Sequence, residues 1–255
     1  MRASPAVSNA QQAESVTRSP AGAEGPVHEP VGQYGVPDEA LRLATSALAR
    51  WRGASGAVTV VAIDGHGASG KSTIATQLCA LSGASVVHTD DFFVQHLEVP
   101  AGGGGRDLGS YYDLARLRSE ALATLRAHRE ASYHPFDWDT GTASLELTHM
   151  AATDLVILEG VYSGAPELAD VVDKAICVHT PEAERLGRLR GRIAPEDWDS
   201  EWLRAEEEYF SRVRPLESFD LVIRGSRSFP LVPSPAPASF EGRRTGNFST
   251  RPGEI

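Results

Sequence analysis

A glycine-rich turn with a lysine and a serine is the part of this sequence best suited to chemistry. It reads Gly65-His-Gly-Ala-Ser-Gly-Lys-Ser72 and matches the pattern G-x-x-x-x-G-K-[ST] in full. Glycines let a backbone turn its N–H groups around phosphate oxygens, while Lys71 can reach the β- and γ-phosphates and the Ser72 hydroxyl can bind Mg²⁺. The pattern therefore predicts a nucleoside triphosphate site. Its predicted binding residues are Gly65, His66, Gly67, Ala68, Ser69, Gly70, Lys71, Ser72 and Thr73.

Acidic residues follow two of the predicted strands. Asp90 and Asp91 come after the strand 85–89, and Glu159 comes after the strand 154–158. A carboxylate at such a strand end can orient an acceptor hydroxyl and take its proton, or bind Mg²⁺ directly or through water. We predict Asp90 as the base and as a metal contact, and Glu159 with Ser72 as metal ligands. Asp91 is the alternative base, and turn-capping or strand-ending acids are the structural alternatives.

An arginine-rich stretch lies near the predicted helix 182–192. Arg185, Arg188 and Arg192 are spaced i, i+3 and i+7 and so share one helical face. Planar guanidinium groups suit phosphate oxygens, so these arginines are predicted to contact the nucleotide, with Arg188 and Lys71 assisting catalysis. The alternative is a solvated basic face paired with acids at 196–208.

Strands and helices alternate along the chain, and these elements must position the residues named above. The predicted strands are 58–63, 85–89, 154–158, 175–179 and 219–223. The predicted helices are 41–51, 71–80, 114–125, 182–192 and 200–213. This alternation predicts an α/β fold with a five-stranded, mostly parallel sheet and helices on both faces. Ligands bind at the carboxyl ends of the strands in such sheets.

Composition limits the classes of protein to which the chain can belong. Of the 255 residues 41% are apolar, which is enough for a core, and the formal charge of −10 argues against a nucleic-acid binder. No apolar run is long enough to span a membrane. With only Cys79 and Cys177, no disulfide framework or zinc site is expected, which fits a reducing cytoplasm.

The ends of the chain differ in composition from its middle. Residues 1–37 are rich in Ala, Ser, Pro, Gly and Gln, and 226–255 contain several prolines, so both are predicted to be flexible tails. A single domain is expected over 38–225. The glycine run 102–105 lacks a preceding strand and is interpreted as a flexible loop, not a second phosphate site.

Three segments in order resemble the uridine kinase family, which is related to phosphoribulokinase-like and pantothenate kinase-like enzymes. They are Ile63–Thr73, Thr89-Asp-Asp-Phe-Phe93 and Leu158-Glu-Gly-Val161. The resemblance covers about 54–225. It implies a three-layer P-loop NTPase sandwich with an Arg-rich lid near 185–192, and it implies that Asp90 is the base.

Two further segments resemble the acceptor-binding parts of that family. In Tyr111-Tyr112-Asp113 the resemblance implies that Asp113 contacts ribose hydroxyls and that Tyr112 lies beside them, although Asp113 would also suit a helix N-cap. Phe136, in the run from Tyr133 to Trp138, is implied to pack near the acceptor base, or else to belong to an aromatic core. Asp139-Thr-Gly141 stands where the family's nucleoside kinases usually carry His-Ser-Arg.

The sequence thus predicts a kinase that uses ATP or GTP with Mg²⁺ on a small-molecule hydroxyl. A nucleoside 5′-hydroxyl is the leading acceptor. Pantothenate, a sugar or a nucleoside-like antibiotic is the alternative within enzymes, and a non-catalytic nucleotide switch is the alternative outside them. A Ras-like GTPase is disfavoured because the guanine-reading NKxD is absent. The sequence leaves the oligomeric state open, and a homo-oligomer is compatible with it.

Overall fold

A computed structural model describes residues 38–53, 56–94, 108–191 and 200–226. The tail predicted over 1–37, nearly all of that predicted over 226–255, the glycine run 102–105 and Arg192 lie outside these ranges. The predicted domain boundaries therefore stay predictions.

Within the described residues, nine strands form one large sheet and two small ones. Their bounds are β1 Thr59–Asp64, β2 Ser85–His88, β3 Ala131–Tyr133, β4 Phe136–Asp137, β5 Thr142–Ala143, β6 Thr148–Met150, β7 Leu155–Glu159, β8 Lys174–His179 and β9 Leu221–Arg224. The large sheet has the order β2-β7-β1-β8-β9, and every pairing in it is parallel. The predicted five-stranded parallel sheet is confirmed. The antiparallel pairs β3–β6 and β4–β5 were not predicted, since each strand has only two or three residues.

The described helices are close to the predicted ones. Their bounds are α1 Asp38–Trp51, α2 Lys71–Ser82, α3 Leu114–Arg116, α4 Ala123–Arg126, α5 Glu182–Arg190 and α6 Ser200–Glu208. The predicted helices 114–125 and 200–213 each contain a π-helical turn, at Leu117–Leu122 and Tyr209–Val213. A π-helical turn holds more residues than an α-helical one, so it changes which side chains face the core. None of the described helices is both long and apolar enough to cross a bilayer.

Helices cover both faces of the large sheet because its central strands are apolar on both sides. In β1, Val61 and Ile63 point to one face, where they pack with Leu48 of α1 and Leu78 of α2. The opposite face of the sheet has two further clusters. One gathers Val60, Val156, Leu158, Leu117, Leu122 and Leu125, and the other gathers Ala62, Cys177, Tyr209 and Phe210. The sheet is therefore the middle of three layers, and the carboxyl ends of β1, β2 and β7 meet at one edge.

Candidate active site

The glycine-rich turn joins the end of β1 to the start of α2, as the sequence predicted. Ala68 and Gly70 adopt left-handed backbone conformations, with φ of 60° and 99°. Gly65 has a φ of 145°, and a Cβ at this position would lie 2.4 Å from the carbonyl oxygen of Val178. Glycine is thus required where the loop leaves the sheet, and the chain turns sharply enough to form a cup.

Side chains from α5 and from the residue that follows β8 hold the outside of this loop. The buried Arg188 guanidinium donates hydrogen bonds to the carbonyl oxygens of Ala68 at 3.0 Å and Gly225 at 2.9 Å. The Thr180 hydroxyl donates to the carbonyl oxygen of Ser69 at 2.8 Å. The carbonyl groups of Ala68 and Ser69 thus turn outward, which leaves the inner side of this part of the loop to N–H groups, as anion binding requires.

Asp64 fixes the start of the loop and was not singled out by the sequence. One carboxylate oxygen accepts hydrogen bonds from the backbone N–H groups of Gly65 at 2.8 Å and Tyr162 at 3.1 Å. The other accepts from the Gly164 N–H at 2.9 Å and the Tyr209 hydroxyl at 2.8 Å. Burial raises the pKa of Asp64, although the hydrogen bonds from Tyr209, Gly164 and Gly65 and the charge of Lys71 oppose the rise. The carboxylate therefore connects the loop, the segment after β7 and the helix that follows α6.

Lys71 lies at the base of the loop and is buried. Its ammonium group donates to the carbonyl oxygen of His66 at 2.9 Å, across the loop. This contact keeps the positive charge inside the turn, next to the first N–H groups of α2. A buried ammonium needs a charged or polar partner, and an anion in the cup would supply one.

Ser72 and Glu159 come together, as expected for a metal site. The Ser72 hydroxyl donates to Glu159 Oε1 at 3.1 Å, and His88 Nδ1 lies 2.7 Å from Glu159 Oε2. Burial opposes the charge of Glu159, but the hydrogen bond and charge of His88, with Lys71 and Ser72, hold the pKa of Glu159 below its usual range. His88 is a site residue that sequence reasoning missed. Its position at the end of β2, beside the Asp90-Asp91 pair, was the available signal.

Asp90 and Asp91 begin a short helical turn, Thr89–Phe92, directly after β2. Asp90 Oδ1 is buried and has no hydrogen-bond partner in the described part of the chain. Burial and the nearby Glu159 raise the pKa of Asp90 to about 7, although Lys71 opposes the rise. Asp91 Oδ2 instead accepts a hydrogen bond from the Tyr133 hydroxyl at 2.8 Å. Of the two adjacent acids, Asp90 is thus the one with a buried carboxylate oxygen that has no hydrogen-bond partner among the described residues.

Arg185 and Arg188 lie on the side of α5 that packs toward the loop, and both are buried. The alternative of a solvated basic face paired with acids at 196–208 is therefore wrong about solvation for these two residues, but its pairing holds for Arg185 and Glu206. Arg188 donates to the carbonyl oxygens of Ala68 in the loop and of Gly225 just after β9, and Arg185 Nη1 lies 3.5 Å from the buried Glu206 carboxylate. Their predicted contact with nucleotide phosphates stays a prediction, as does that of Arg192.

Aromatic rings form a wall beyond Asp90. Phe93 lies 5.2 Å from Phe136, 4.7 Å from Trp138 and 6.3 Å from Trp202 between ring centroids. Tyr112 is buried, with its ring 6.1 Å from that of Trp202. The predicted residues Tyr112 and Phe136 thus belong to one cluster, which Trp202 joins from α6. Trp202 has no counterpart among the residues that the sequence suggested.

Asp113 caps the helical segment that follows it. Its carboxylate accepts a hydrogen bond from the Arg116 N–H at 2.9 Å, the geometry of an N-cap. The structural alternative for Asp113 is therefore realised. Its second predicted role, contact with acceptor hydroxyls, stays a prediction, since one carboxylate oxygen is enough for the cap.

Comparison with known proteins gives matches in structure only. No family model and no curated protein matches the sequence. A possible uridine kinase from Bacillus stearothermophilus aligns with a TM-score of 0.57 at 20% identity, covering 73% of this chain and 98% of that chain. A protein provisionally described as a fructose transport system kinase from Silicibacter sp. TM1040 aligns with a TM-score of 0.57 at 22% identity, covering 72% and 98%. The chain therefore has the P-loop kinase fold.

Proposed function

Starting from this P-loop kinase fold, we propose that the chain is a small-molecule kinase. It would transfer the γ-phosphate of ATP or GTP, with Mg²⁺, to an acceptor hydroxyl. The observation that carries the proposal is that Asp90 Oδ1, at the same sheet edge as the loop, is buried with no partner in the part of the chain that the structure describes. An isolated buried carboxylate oxygen is costly, so its retention at this place is best explained by a hydrogen-bonding substrate.

The oxygen atoms at the end of β7 and the start of α2 fit a magnesium ion. Hard cations bind hydroxyl and carboxylate oxygens, and the Ser72 hydroxyl lies 3.1 Å from the ionised Glu159 carboxylate. Ser72 and Glu159 would hold the ion, with Asp90 contributing through water. When bound, the ion would neutralise phosphate charge during the transfer.

Each residue of the site has a separate part in the proposed reaction. The loop N–H groups and Lys71 bind the phosphates, and Arg188 positions the loop from outside through Ala68 and Gly225. Asp90 orients the acceptor hydroxyl and takes its proton. The acceptor oxygen forms a bond to the γ-phosphorus as the bond from that phosphorus to the leaving diphosphate breaks.

The acceptor is proposed from the aromatic wall beside Asp90. Phe93, Phe136, Trp138 and Trp202 offer ring faces and edges, which suit a planar or apolar group next to the reacting hydroxyl. A nucleoside, with its flat base, is therefore the leading acceptor, and one matched structure is a possible uridine kinase. A sugar or other small alcohol is the second candidate, because another matched structure is described as a fructose transport system kinase and the His-Ser-Arg run is missing.

Acceptor screening tests the proposal. Transfer of labelled γ-phosphate from ATP is measured over a panel of nucleosides, sugars and vitamins, with the parent chain, Asp90→Asn and Asp91→Asn. We expect Asp90→Asn to lower kcat by about 10²- to 10⁴-fold while the Kd for ATP changes little, because the proton acceptor alone is lost. Asp91→Asn is the matched control, since an amide oxygen can still accept from Tyr133.

Two results would contradict the proposal in different ways. Full turnover by Asp90→Asn on the best acceptor would show that Asp90 is not the base. Tight ATP binding with no acceptor that is phosphorylated would favour the nucleotide switch instead.

A further inference from the structure

A buried carboxylate from α6 enters the phosphate loop. Glu206 has no exposed surface, and its Oε1 accepts a hydrogen bond from the Gly67 N–H at 2.6 Å. Its Oε2 lies 3.5 Å from Nη1 of the buried Arg185. The Glu206 carboxylate thus accepts from the Gly67 N–H of the loop and lies against Arg185, one of the arginines predicted to bind phosphate.

Such a contact competes directly with an anionic ligand. A backbone N–H has one hydrogen, so a phosphate oxygen can receive that of Gly67 only if the carboxylate moves away. A nearby carboxylate also repels a polyphosphate, and this repulsion grows with the negative charge of the ligand. A side-chain carboxylate in this position therefore lowers the affinity of the loop for phosphates, most of all for highly charged ones.

The helical face that carries Glu206 contacts both the aromatic cluster and the glycine-rich loop. Trp202, Glu206 and Phe210 follow each other at intervals of four residues. The Trp202 ring lies 5.1 Å from that of Tyr111 in the aromatic cluster, and the Phe210 ring lies 4.1 Å from that of His66 in the loop. A movement of Glu206 out of the loop would be transmitted to both contacts.

We propose that Glu206 is a specificity-determining residue that competes with phosphates for the Gly67 N–H and Arg185 and disfavours ligands in proportion to their negative charge. The inference rests on the proposed nucleotide site and extends it. A metal-free triphosphate carries more charge than a diphosphate or a magnesium complex, so Glu206 acts against it most strongly. Burial raises the pKa of Glu206, whereas Arg185, Lys71 and the Gly67 N–H favour its charged form.

The test is the affinity of Glu206→Gln for ATP, ADP and inorganic tripolyphosphate, measured by calorimetry with Mg²⁺ and again with EDTA. We expect the Kd for ATP to fall by about tenfold, because one adjacent like charge is removed. The gain should be larger for ATP than for ADP, and larger in EDTA than with Mg²⁺. Glu208→Gln is the matched control, since Glu208 is exposed on the same helix and pairs with Arg204.

Different results separate this inference from the proposed function. If the parent binds ATP through Lys71 but Glu206→Gln binds it no more tightly, Glu206 is structural and the inference fails alone. If neither the parent nor Glu206→Gln binds ATP or tripolyphosphate, the proposed nucleotide site fails as well.

A second variant and a measurement on the parent cover the case in which Glu206→Gln does not fold. Glu206→Asp keeps the charge but withdraws the carboxylate by one methylene, so a smaller gain in ATP affinity is expected. In the parent, the amide resonance of Gly67 should shift when tripolyphosphate saturates the protein. A resonance that does not move would show that the carboxylate stays in place, and would overturn the inference.

Discussion

Two acids that are adjacent in sequence have different surroundings in this protein. Asp91 accepts a hydrogen bond from the Tyr133 hydroxyl, whereas Asp90 Oδ1 is buried without a partner in the described residues. Burial and the negative charge of Glu159 raise the pKa of Asp90 to about 7. An acid with such a pKa is half ionised near neutral pH, which suits a group that accepts a proton during each turnover.

The pKa of Asp90 predicts how the stability of the ligand-free protein depends on pH. The pKa is 3.8 for an ordinary Asp and about 7 in the fold, so between these values the folded state keeps a proton that the unfolded chain releases. The stability that Asp90 contributes is therefore fully present below pH 3.8 and is lost as the pH rises through about 7. We expect Asp90→Asn to be more stable than the parent by about 1 kcal/mol or more at about pH 8, and equal to it near pH 4.

Urea unfolding of both proteins at the two pH values, without Mg²⁺ or nucleotide, measures this difference. An equal difference at both pH values would show that Asp90 ionises normally in the folded state.

At the scale of elements, the loop is held between neighbouring helices and strands. Arg188 of α5 contacts its outer carbonyl groups, and the chain after β9 passes so close that a Cβ at Gly225 would lie 1.8 Å from the carbonyl oxygen of Ser69. Asp64 connects the start of the loop to Tyr209, in the π-helical turn after α6. The phosphate cup is therefore shaped by packing as well as by its own glycines.

Replacing Gly225 with alanine should disturb the cup from outside. The added methyl group meets Ser69 backbone, which cannot rotate away, so we expect a loss of about 1–3 kcal/mol in unfolding free energy and weaker ATP binding. Gly187→Ala is the control, because a Cβ there meets nothing within 4 Å on the exposed side of α5. It should raise stability slightly, by about 0.5–1 kcal/mol. Thermal unfolding and ATP titration of both variants give the comparison, and an unchanged Gly225→Ala would show that β9 does not shape the loop.

The whole molecule has an excess of negative charge but gathers buried positive groups around one loop. Its formal charge is −10, yet Lys71, Arg185 and Arg188 are all buried against the glycine-rich turn. Buried cations need anionic partners, and here internal acids supply some of them, such as Glu184 for Arg188 and Glu206 for Arg185. The distribution of charge thus favours a small anionic ligand at one place over a polyanion spread across the surface.

Ligand binding should therefore raise the stability of the whole domain. At about 100 times its Kd, Mg²⁺–ATP should add about 2.7 kcal/mol, since it binds only the folded chain. For a domain of this size we expect a rise in Tm of about 5–10 °C. Lys71→Ala should abolish most of this rise in Tm while leaving the Tm of the ligand-free protein nearly the same. A full rise in Lys71→Ala would place the nucleotide elsewhere.

Much of the architecture could be predicted because its signals are local. The strand, loop and helix around Lys71 lie within a short stretch, and the five apolar strands alternate with helices. Strands β3 to β6 were missed because two- or three-residue pairings depend on contacts between segments. The π-helical turns at 117–122 and 209–213 were missed because a single wider turn changes the spacing of apolar residues too little to be distinguished from an α-helix over such short lengths.

Residue types and short-range spacing were enough to predict the glycine-rich turn, the order of the elements and the parallel sheet. Which side chains surround the turn depends on the packed structure: Glu206 is 139 residues from Gly67, and Tyr209 is 145 residues from Asp64. The packed structure also decides that Tyr133 hydrogen-bonds Asp91 and leaves Asp90 Oδ1 without a partner in the described residues. The physical reason is that packing of the helices on the sheet sets these distances, and no local pattern encodes the distance between two segments so far apart in the chain.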